Sequence, residues 1–348
     1  MYIFEHEKYQ RNLKWINEAI QNSSLNILIT GATGLVGSCI VDALLYSNRY
    51  LNGNHKVYAA SRNMDKLKSR FPYIQNGSEG IYFMEYDVCR PLETEMDIHY
   101  IIHAASNADP GSYTRYPSGT IVTNVIGMQN ILEYARKRKG IQVLFTSTME
   151  VYGQLEKDGK LTEEDYGRIC FQDIRSGYPE SKRVAELLCQ SYVAEYQVPV
   201  KIARLGYIYG PTMLQTDNKV IAQFIRNAVL SQNICLKSRG IQKRSYCYVA
   251  DAVQGLFHIL FHGKMGESYN VADKNSITTI RELAETVAAL GNRKVVFDIP
   301  DIEAKPNVSG MQYAVLDTEK IENLGWEAHY HLEDGLTQTI QIYSDCLC

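Results

Sequence analysis

Tyr178 and Lys182 form a YxxxK pair. On a helix, residues four apart share a face. An ammonium beside a phenol favours the phenolate and lowers its pKa toward neutrality, as a proton-abstracting base requires. In a chain with 25 tyrosines the pattern alone arises by chance. It gains meaning from Ser147-Thr148-Met149-Glu150-Val151-Tyr152-Gly153 upstream, where the Thr148 hydroxyl can bond a substrate hydroxyl and Glu150 can act as base or electrostatic partner. Singly, Thr148 reads as a strand-end cap and Glu150 as a solvated loop charge. With Tyr178 they read as a site.

A second constellation is Gly31-Ala32-Thr33-Gly34-Leu35-Val36-Gly37, set between the apolar run LNILIT (25–30) and a helical pattern through Leu45. That context separates it from a plain glycine turn. The first glycine permits the tight turn, the second lets backbone approach a pyrophosphate at the positive helix end, and the third allows close helix–strand packing. A dinucleotide cofactor follows. Where a carboxylate would hold the adenosine ribose 2′-hydroxyl, at the end of the second predicted strand, Ser61-Arg62-Asn63 carries no acid. Arg62 suits either a 2′-phosphate or the face of adenine. Asp87-Val88, closing the third strand, is placed for the adenine edge, or is a loop turn.

The elements that must position these groups alternate. A helix is predicted over 8–21, strands over 25–30, 55–60, 80–88, 99–105, 141–148 and 198–205, and intervening helices up to about 138 and over 181–196. Strands alternating with helices make βαβ units, and continuous apolar strands mean a parallel sheet covered on both faces. The predicted class is α/β, a Rossmann-type doubly wound parallel sheet with a smaller C-terminal α/β substrate lobe. Residues 1–24 form a helical extension and 25–205 the dinucleotide-binding domain, rejoined by about 236–265. Residues 206–235 and 266–348 form the substrate lobe, with helices near 219–230, 250–261, 278–290 and 333–344. Ligands of such sheets bind at the carboxyl ends of the strands, where Thr148 stands.

With 348 residues, 45% hydrophobic and 22% charged, the chain has an ordinary folded composition and not a disordered one. A net charge of −3, from 36 basic and 39 acidic residues, leaves no footprint for nucleic acid or for an anionic membrane. No apolar run approaches the roughly 18 residues of a membrane span, and the mixed charges of MYIFEHEK are not expected in a secretory signal. Eight cysteines without a CxxC pair point to a reducing cytoplasm, and Cys346-x-Cys348 reads as an inert tail before it reads as a soft-metal site. His258 and His262 are helix-spaced but lack a third ligand, so no metal is expected. No GxSxG elbow supports a serine hydrolase.

Taken in order, GATGLVG, YDV (86–88), HAAS (103–106), TNVIGMQN (123–130), STMEVYG, YPESK (178–182), ARLGYIYGP (203–211), RSYCYVAD (244–251) and LGW (324–326) resemble the extended short-chain dehydrogenase/reductase family. These are the nucleotide-sugar epimerases, dehydratases and decarboxylases, and the likeness runs over nearly the whole chain from Leu25. Within the family the pattern is similar to the UDP-glucuronate decarboxylases. Ala105-Ser-Asn-Ala-Asp-Pro110-Gly-Ser-Tyr113 echoes their ASPASPP-x-Y run, and Thr148-x-Glu150 and Arg175, three residues before the tyrosine, are shared.

What the resemblance implies is oxidation at the sugar C4. Tyr178, with Thr148 and supported by Lys182, takes the 4-hydroxyl proton while a hydride passes to NAD; a C5 carboxylate is then lost from the β-keto acid as CO2, and the hydride returns. Ala104, Ala105 and Ser106 are implied cofactor contacts, and Met149, Arg175, Tyr207 and Arg244 substrate contacts. Arg244 matches the arginine that meets the nucleotide diphosphate.

Departures from the family pattern leave the sugar and the base open. Met149 stands where 4,6-dehydratases carry an aspartic acid, and a thioether cannot protonate a departing 6-hydroxyl. Tyr207 replaces an asparagine, Thr212 an arginine, and Leu236-Lys237-Ser238 lacks the aromatic of the nucleobase loop. A cofactor regenerated in place favours tightly held NAD over exchangeable NADP, despite Arg62. The resemblance also implies a homodimer through helices near 119–138 and 178–196. The alternatives are a UDP-sugar 4-epimerase, an NADPH-dependent reductase of a free carbonyl, and a silent dinucleotide-binding protein; intact Tyr178, Lys182 and Thr148 argue against the last.

Overall fold

The computed structural model describes residues 1–20, 24–155, 159–299 and 311–347. The chain opens with α1 (Glu7–Asn17), followed by β1 (Asn26–Thr30), α2 (Leu35–Tyr50), β2 (Lys56–Ser61), α3 (Met64–Arg70), β3 (Ile81–Glu85) and β4 (Tyr100–His103). Next come α4 (Pro110–Arg115), α5 (Pro117–Lys137), β5 (Gln142–Thr148), α6 (Gly177–Tyr196), β6 (Val200–Leu205), β7 (Tyr207–Tyr209), α7 (Val220–Val229), β8 (Ile234–Leu236), β9 (Lys243–Tyr248) and α8 (Val249–His262). The last stretch holds β10 (Ser268–Val271), β11 (Ile277–Thr279), α9 (Ile280–Leu290), β12 (Val295–Phe297), β13 (Tyr313–Ala314), α10 (Glu319–Glu322) and α11 (Leu332–Leu347).

Seven strands form one parallel sheet in the order β10-β6-β5-β4-β1-β2-β3. The chain reverses direction of winding between β1 and β4, and that reversal opens the crevice in which doubly wound sheets bind ligands. Side chains along these strands alternate between two cores. Leu28, Ile101, Val143, Phe145 and Ile202 face the layer of α5 and α6, whereas Ile27, Ile29, Ile102, Leu144 and Ala203 face the other. Burial on both sides is what the unbroken apolar runs required.

Three boundaries differ from the sequence reading. The first helix ends at Asn17, not near 21, and the third strand ends at Glu85, so Asp87 and Val88 sit in the following loop. The stretch SYNV (268–271), placed by sequence in the substrate lobe, is the seventh strand of the main sheet, beside β6. Four residues are too few to show a period. Conversely β9 does not rejoin that sheet; it pairs with β7, β11 and β13 in a second sheet, while β8 pairs with β12. Among the described residues after β9, α8 packs against β5 and β6, and β10 joins the main sheet.

α1 ties the two halves together at their back. The Tyr9 hydroxyl donates to Asp42 in α2 (2.8 Å), the Asn12 amide to the Tyr248 hydroxyl (2.7 Å) and the Trp15 indole to Asp251 at the start of α8 (2.9 Å). Phe4, Tyr9, Leu13 and Ile16 are fully buried. No helix among the described residues is long and apolar enough to cross a membrane.

Candidate active site

The glycine loop leaves β1 and enters α2 under tight constraint. Gly31 has φ +69, and a Cβ there would stand 2.6 Å from the Ala104 carbonyl oxygen, so only glycine fits. A Cβ on Gly37 would meet the Gly31 carbonyl oxygen at 2.3 Å. Gly34 caps α2 with no side chain, so the first amides of a sixteen-residue helix point into open space. Exposed amides and the positive end of a helix dipole suit a pyrophosphate.

That space is a cleft of about 710 Å³ along the carboxyl ends of β1, β2, β4 and β5. Of the residues expected at the cofactor, Gly31, Thr33, Gly34, Leu35, Val36 and Gly37 line it. So do Ser61, Arg62, Val88, Ala104, Ala105 and Ser106. Asp87 lines an adjoining hollow with Arg62, and its carboxylate turns back to accept from the Cys89 amide (3.0 Å). Glycines where a Cβ would clash, a free helix start and a groove of this size fit a dinucleotide.

The reactive residues meet at the middle of the cleft. Thr148 ends β5, and its hydroxyl accepts from the Glu150 amide at 3.3 Å, closing a short turn over Met149–Tyr152. Tyr178 enters from the first turn of α6; its carbonyl accepts from the Ser181 hydroxyl (2.8 Å), which in turn accepts from Asn124 (2.8 Å), itself an acceptor from Ser106 (2.7 Å). The Thr148 hydroxyl draws the Tyr178 pKa down, and both side chains line the cleft, as do Met149, Glu150, Lys182 and Tyr207.

Lys182 is not among the groups that act most strongly on the Tyr178 pKa. Its ammonium donates to the Thr146 carbonyl (2.8 Å) and lies 4.5 Å over the Phe145 ring. Burial pushes Lys182 down to about 7. Tyr178 is raised well above the ordinary phenol value, first by burial and then by the Glu150 charge, with Thr148 and Arg175 pulling the other way. The i, i+4 spacing put both groups on one face, but burial of that face decides the sign.

Glu150 is held by Arg175, whose Nη2 donates to both carboxylate oxygens (3.0 and 3.2 Å). Burial raises the Glu150 carboxyl, while Arg175, Arg244 and Lys219 draw it down. Arg175 also donates to the Tyr113 hydroxyl (3.1 Å), and its buried Nε has no partner among the described residues. Arg244 is almost fully buried, donates to the Lys243 carbonyl (3.0 Å) and stacks over Tyr207 at 5.4 Å. Neither arginine lines the cleft itself. Tyr113 carried a signal, as the last residue of the 105–113 run, but nothing in the sequence assigned it a contact. Lys219, which also lines the cleft, had none.

His258 and His262 pack ring against ring at 5.8 Å, and no group of three metal-ligating side chains occurs among the described residues. Cys348 lies outside the described residues, so the terminal cysteine pair is not described as a unit.

The family model described as "NAD dependent epimerase/dehydratase family" matches residues 27–272. UDP-glucuronic acid decarboxylase 6 of Arabidopsis thaliana is 35% identical over 330 residues, 92% of this chain and 89% of that protein. UDP-glucuronic acid decarboxylase 1 of Danio rerio is 33% identical over 320 residues, 91% of this chain and 72% of that protein. Among solved structures, the dTDP-glucose 4,6-dehydratase of Bacillus anthracis in complex with NAD superposes with a TM-score of 0.77 at 26% identity, covering 92% of this chain and 97% of that one.

Proposed function

This chain belongs to the NAD-dependent epimerase/dehydratase family, and on that footing we propose that it decarboxylates UDP-glucuronate through oxidation at the sugar C4. The observation that carries the reading is the Glu150–Arg175 pair on a cleft that Thr148 and Tyr178 also line. Met149 supplies no acid for a departing 6-hydroxyl. The similarity to UDP-glucuronic acid decarboxylases over nine-tenths of the chain supports it.

The Gly31–Gly37 loop, the α2 start and Ala104–Ser106 would hold NAD, which would supply a hydride acceptor for C4 and the hydride for its later reduction. Tyr178 would take the proton of the 4-hydroxyl as its phenolate, which the positive charge of oxidised nicotinamide held in the cleft would favour, and Thr148 would hold that oxygen in place through its own hydroxyl. The resulting C4 ketone lies β to the C5 carboxylate. The C5–C6 bond then breaks, CO2 leaves, and the electron pair passes into the ketone as an enolate that is protonated at C5. Tyr178 returns its proton to O4 when C4 is reduced. Arg175, donating to both Glu150 oxygens, favours the carboxylate against the burial that opposes it, and Arg244 supplies positive charge on the nucleotide side. Lys182, donating to the Thr146 carbonyl, fixes the first turns of α6 and thereby Tyr178.

Incubating the purified protein with UDP-glucuronate and, separately, UDP-glucose tests the reading. Released CO2 with a UDP-pentose supports it. UDP-galactose from UDP-glucose would instead favour the 4-epimerase, steady NADPH consumption a reductase, and no product in either tube would overturn both epimerase and decarboxylase.

We further propose a homodimer. Ile121, Val122 and Ile126 on α5 and Val184 and Leu187 on α6 are exposed apolar residues on two helices that pack together. A second copy pairing the same helices would cover them as a four-helix bundle. Scattering-coupled size exclusion reads the mass directly. A cytoplasmic location is proposed from the singly placed cysteines, of which Cys39, Cys189 and Cys247 are buried.

A further inference from the structure

We propose that Glu186, paired with Arg204, is a positioning residue that sets where the Thr148 hydroxyl stands relative to Tyr178. The inference rests on the reading of Thr148 and Tyr178 as the groups that meet the sugar. Neither Glu186 nor Arg204 lines the cleft. Their effect must therefore pass through other side chains. α6 is stitched to the end of β5 at two consecutive strand residues: the Lys182 ammonium donates to the Thr146 carbonyl (2.8 Å), and the Ser147 hydroxyl donates to the Glu186 carboxylate (2.5 Å). The next strand residue is Thr148. Tyr178 stands one turn before Lys182 on α6 and Glu186 one turn after it, so all three share a face. The two bonds fix the spacing of strand end and helix, and with it the approach of Thr148 to Tyr178. Without the second, the residue next to Thr148 loses its own tie to α6.

A buried carboxylate needs a partner to stay ionised. Arg204 supplies it, with Nε donating to both Glu186 oxygens (3.2 and 3.1 Å) and Nη2 to one of them (2.7 Å). Arg204 is paired in register with Ser147 across β5 and β6, and with Asn270 across β6 and β10. Its Nη1 donates to the Tyr152 hydroxyl (3.1 Å) and to the Glu163 carbonyl (2.8 Å). Tyr152 donates onward to the Asn270 side chain (2.5 Å), which donates to the Leu161 and Asp317 carbonyls (both 2.9 Å). One row of polar groups thus runs from the reactive strand to the stretch between β13 and α10. Satisfied networks of this kind rigidify their surroundings. A buried ion pair adds little net stability over apolar packing. What it fixes here is geometry, and a reacting hydroxyl depends on geometry steeply.

The test compares Glu186→Gln and Ser147→Ala with the parent, each assayed well below its unfolding temperature. Glu186→Gln keeps the shape and removes the charge that clamps Arg204. Ser147→Ala cuts the same stitch and leaves in place the Glu186 charge, which favours the Lys182 ammonium. Single-turnover oxidation of UDP-glucuronate at C4 should slow by about 10- to 100-fold in Glu186→Gln, the cost of an ångström-scale misplacement. It should slow less in Ser147→Ala, and KM should stay within about 2-fold of the parent in both. Adding Glu186→Gln to Thr148→Ala should cost no more than about 2-fold further, because the group being positioned is already gone. Threonine-methyl NMR, with Thr148 assigned by its loss in Thr148→Ala, should show that resonance displaced in both variants, and this readout needs no turnover. A merely structural role predicts additive rate losses and an undisplaced Thr148 methyl; either result overturns the proposal, as does full activity in Ser147→Ala. Ser147→Ala decides the question where Glu186→Gln does not fold. A displaced methyl in a protein that releases no CO2 from UDP-glucuronate sustains the positioning role and removes the decarboxylase reading.

Discussion

The Tyr113 ring lies flat against the Tyr178 ring, with centroids 4.9 Å and planes 11° apart, and its hydroxyl accepts from Arg175. One residue thus braces the reactive phenol and the arginine that faces Glu150. A stacked pair contributes about 0.5–1.5 kcal/mol beyond its buried area. Tyr113→Ala should therefore lower turnover by about 2- to 10-fold, since a loosened phenol is mispositioned. Tyr113→Phe keeps the stack and should lose less. Equal losses in the two variants would show that the hydroxyl, and not the ring, matters.

Tyr178→Phe removes the proton acceptor with little change in shape. Turnover should fall by about 10²–10⁴-fold, the usual contribution of an acid–base group, with the unfolding temperature near that of the parent. Single-turnover release of CO2 from UDP-glucuronate measures it. A variant that retains most of its rate would remove Tyr178 from the chemistry.

Glu150 raises the Tyr178 pKa. Its removal should therefore stabilise the phenolate. In Glu150→Gln the tyrosine titration, followed by ultraviolet difference absorbance, should move to lower pH, and the acid limb of the kcat/KM profile should move the same way. An upward shift would contradict the charge arrangement described here.

Acid should unfold the protein partly through two histidines. Burial holds His55 down at about 4 and His103 at about 3, so both are neutral in the fold. The unfolded chain takes up these protons near the ordinary value of about 6.5. Their neutral-state stability is present above that pH and is lost as pH falls from about 6.5 through 4 and 3. His103→Phe deletes one of these titrations, so its unfolding temperature should fall less steeply with acid than the parent's. Parallel curves would refute the assignment.

The helix that precedes the family's domain should matter to stability. Tyr9 and Tyr73 both donate to the buried Asp42 carboxylate, at 2.8 and 2.6 Å. Burial raises that carboxyl and Arg70 opposes the rise. Tyr9→Phe leaves one oxygen without its donor and should cost about 1–3 kcal/mol in denaturant unfolding. No change would mean that α1 rests on the fold without supporting it.

By itself the sequence determined the class of fold and the cofactor loop, because both are written in short-range signals. Unbroken apolar strands alternating with helices dictate a covered parallel sheet. Gly37 is required by the Gly31 carbonyl six residues before it, whereas Gly31 owes its clash to Ala104 after β4, and the i, i+4 spacing of Tyr178 and Lys182 fixes a shared face. Only the tertiary structure decided what those residues do to one another. Tyr178 is raised and Lys182 lowered because both are buried, and burial is a property of the packed whole. Arg175 reaches Glu150 across 25 residues of chain, and Tyr113 reaches Tyr178 from α4. SYNV joined the main sheet by pairing with β6, which four residues of local pattern cannot announce.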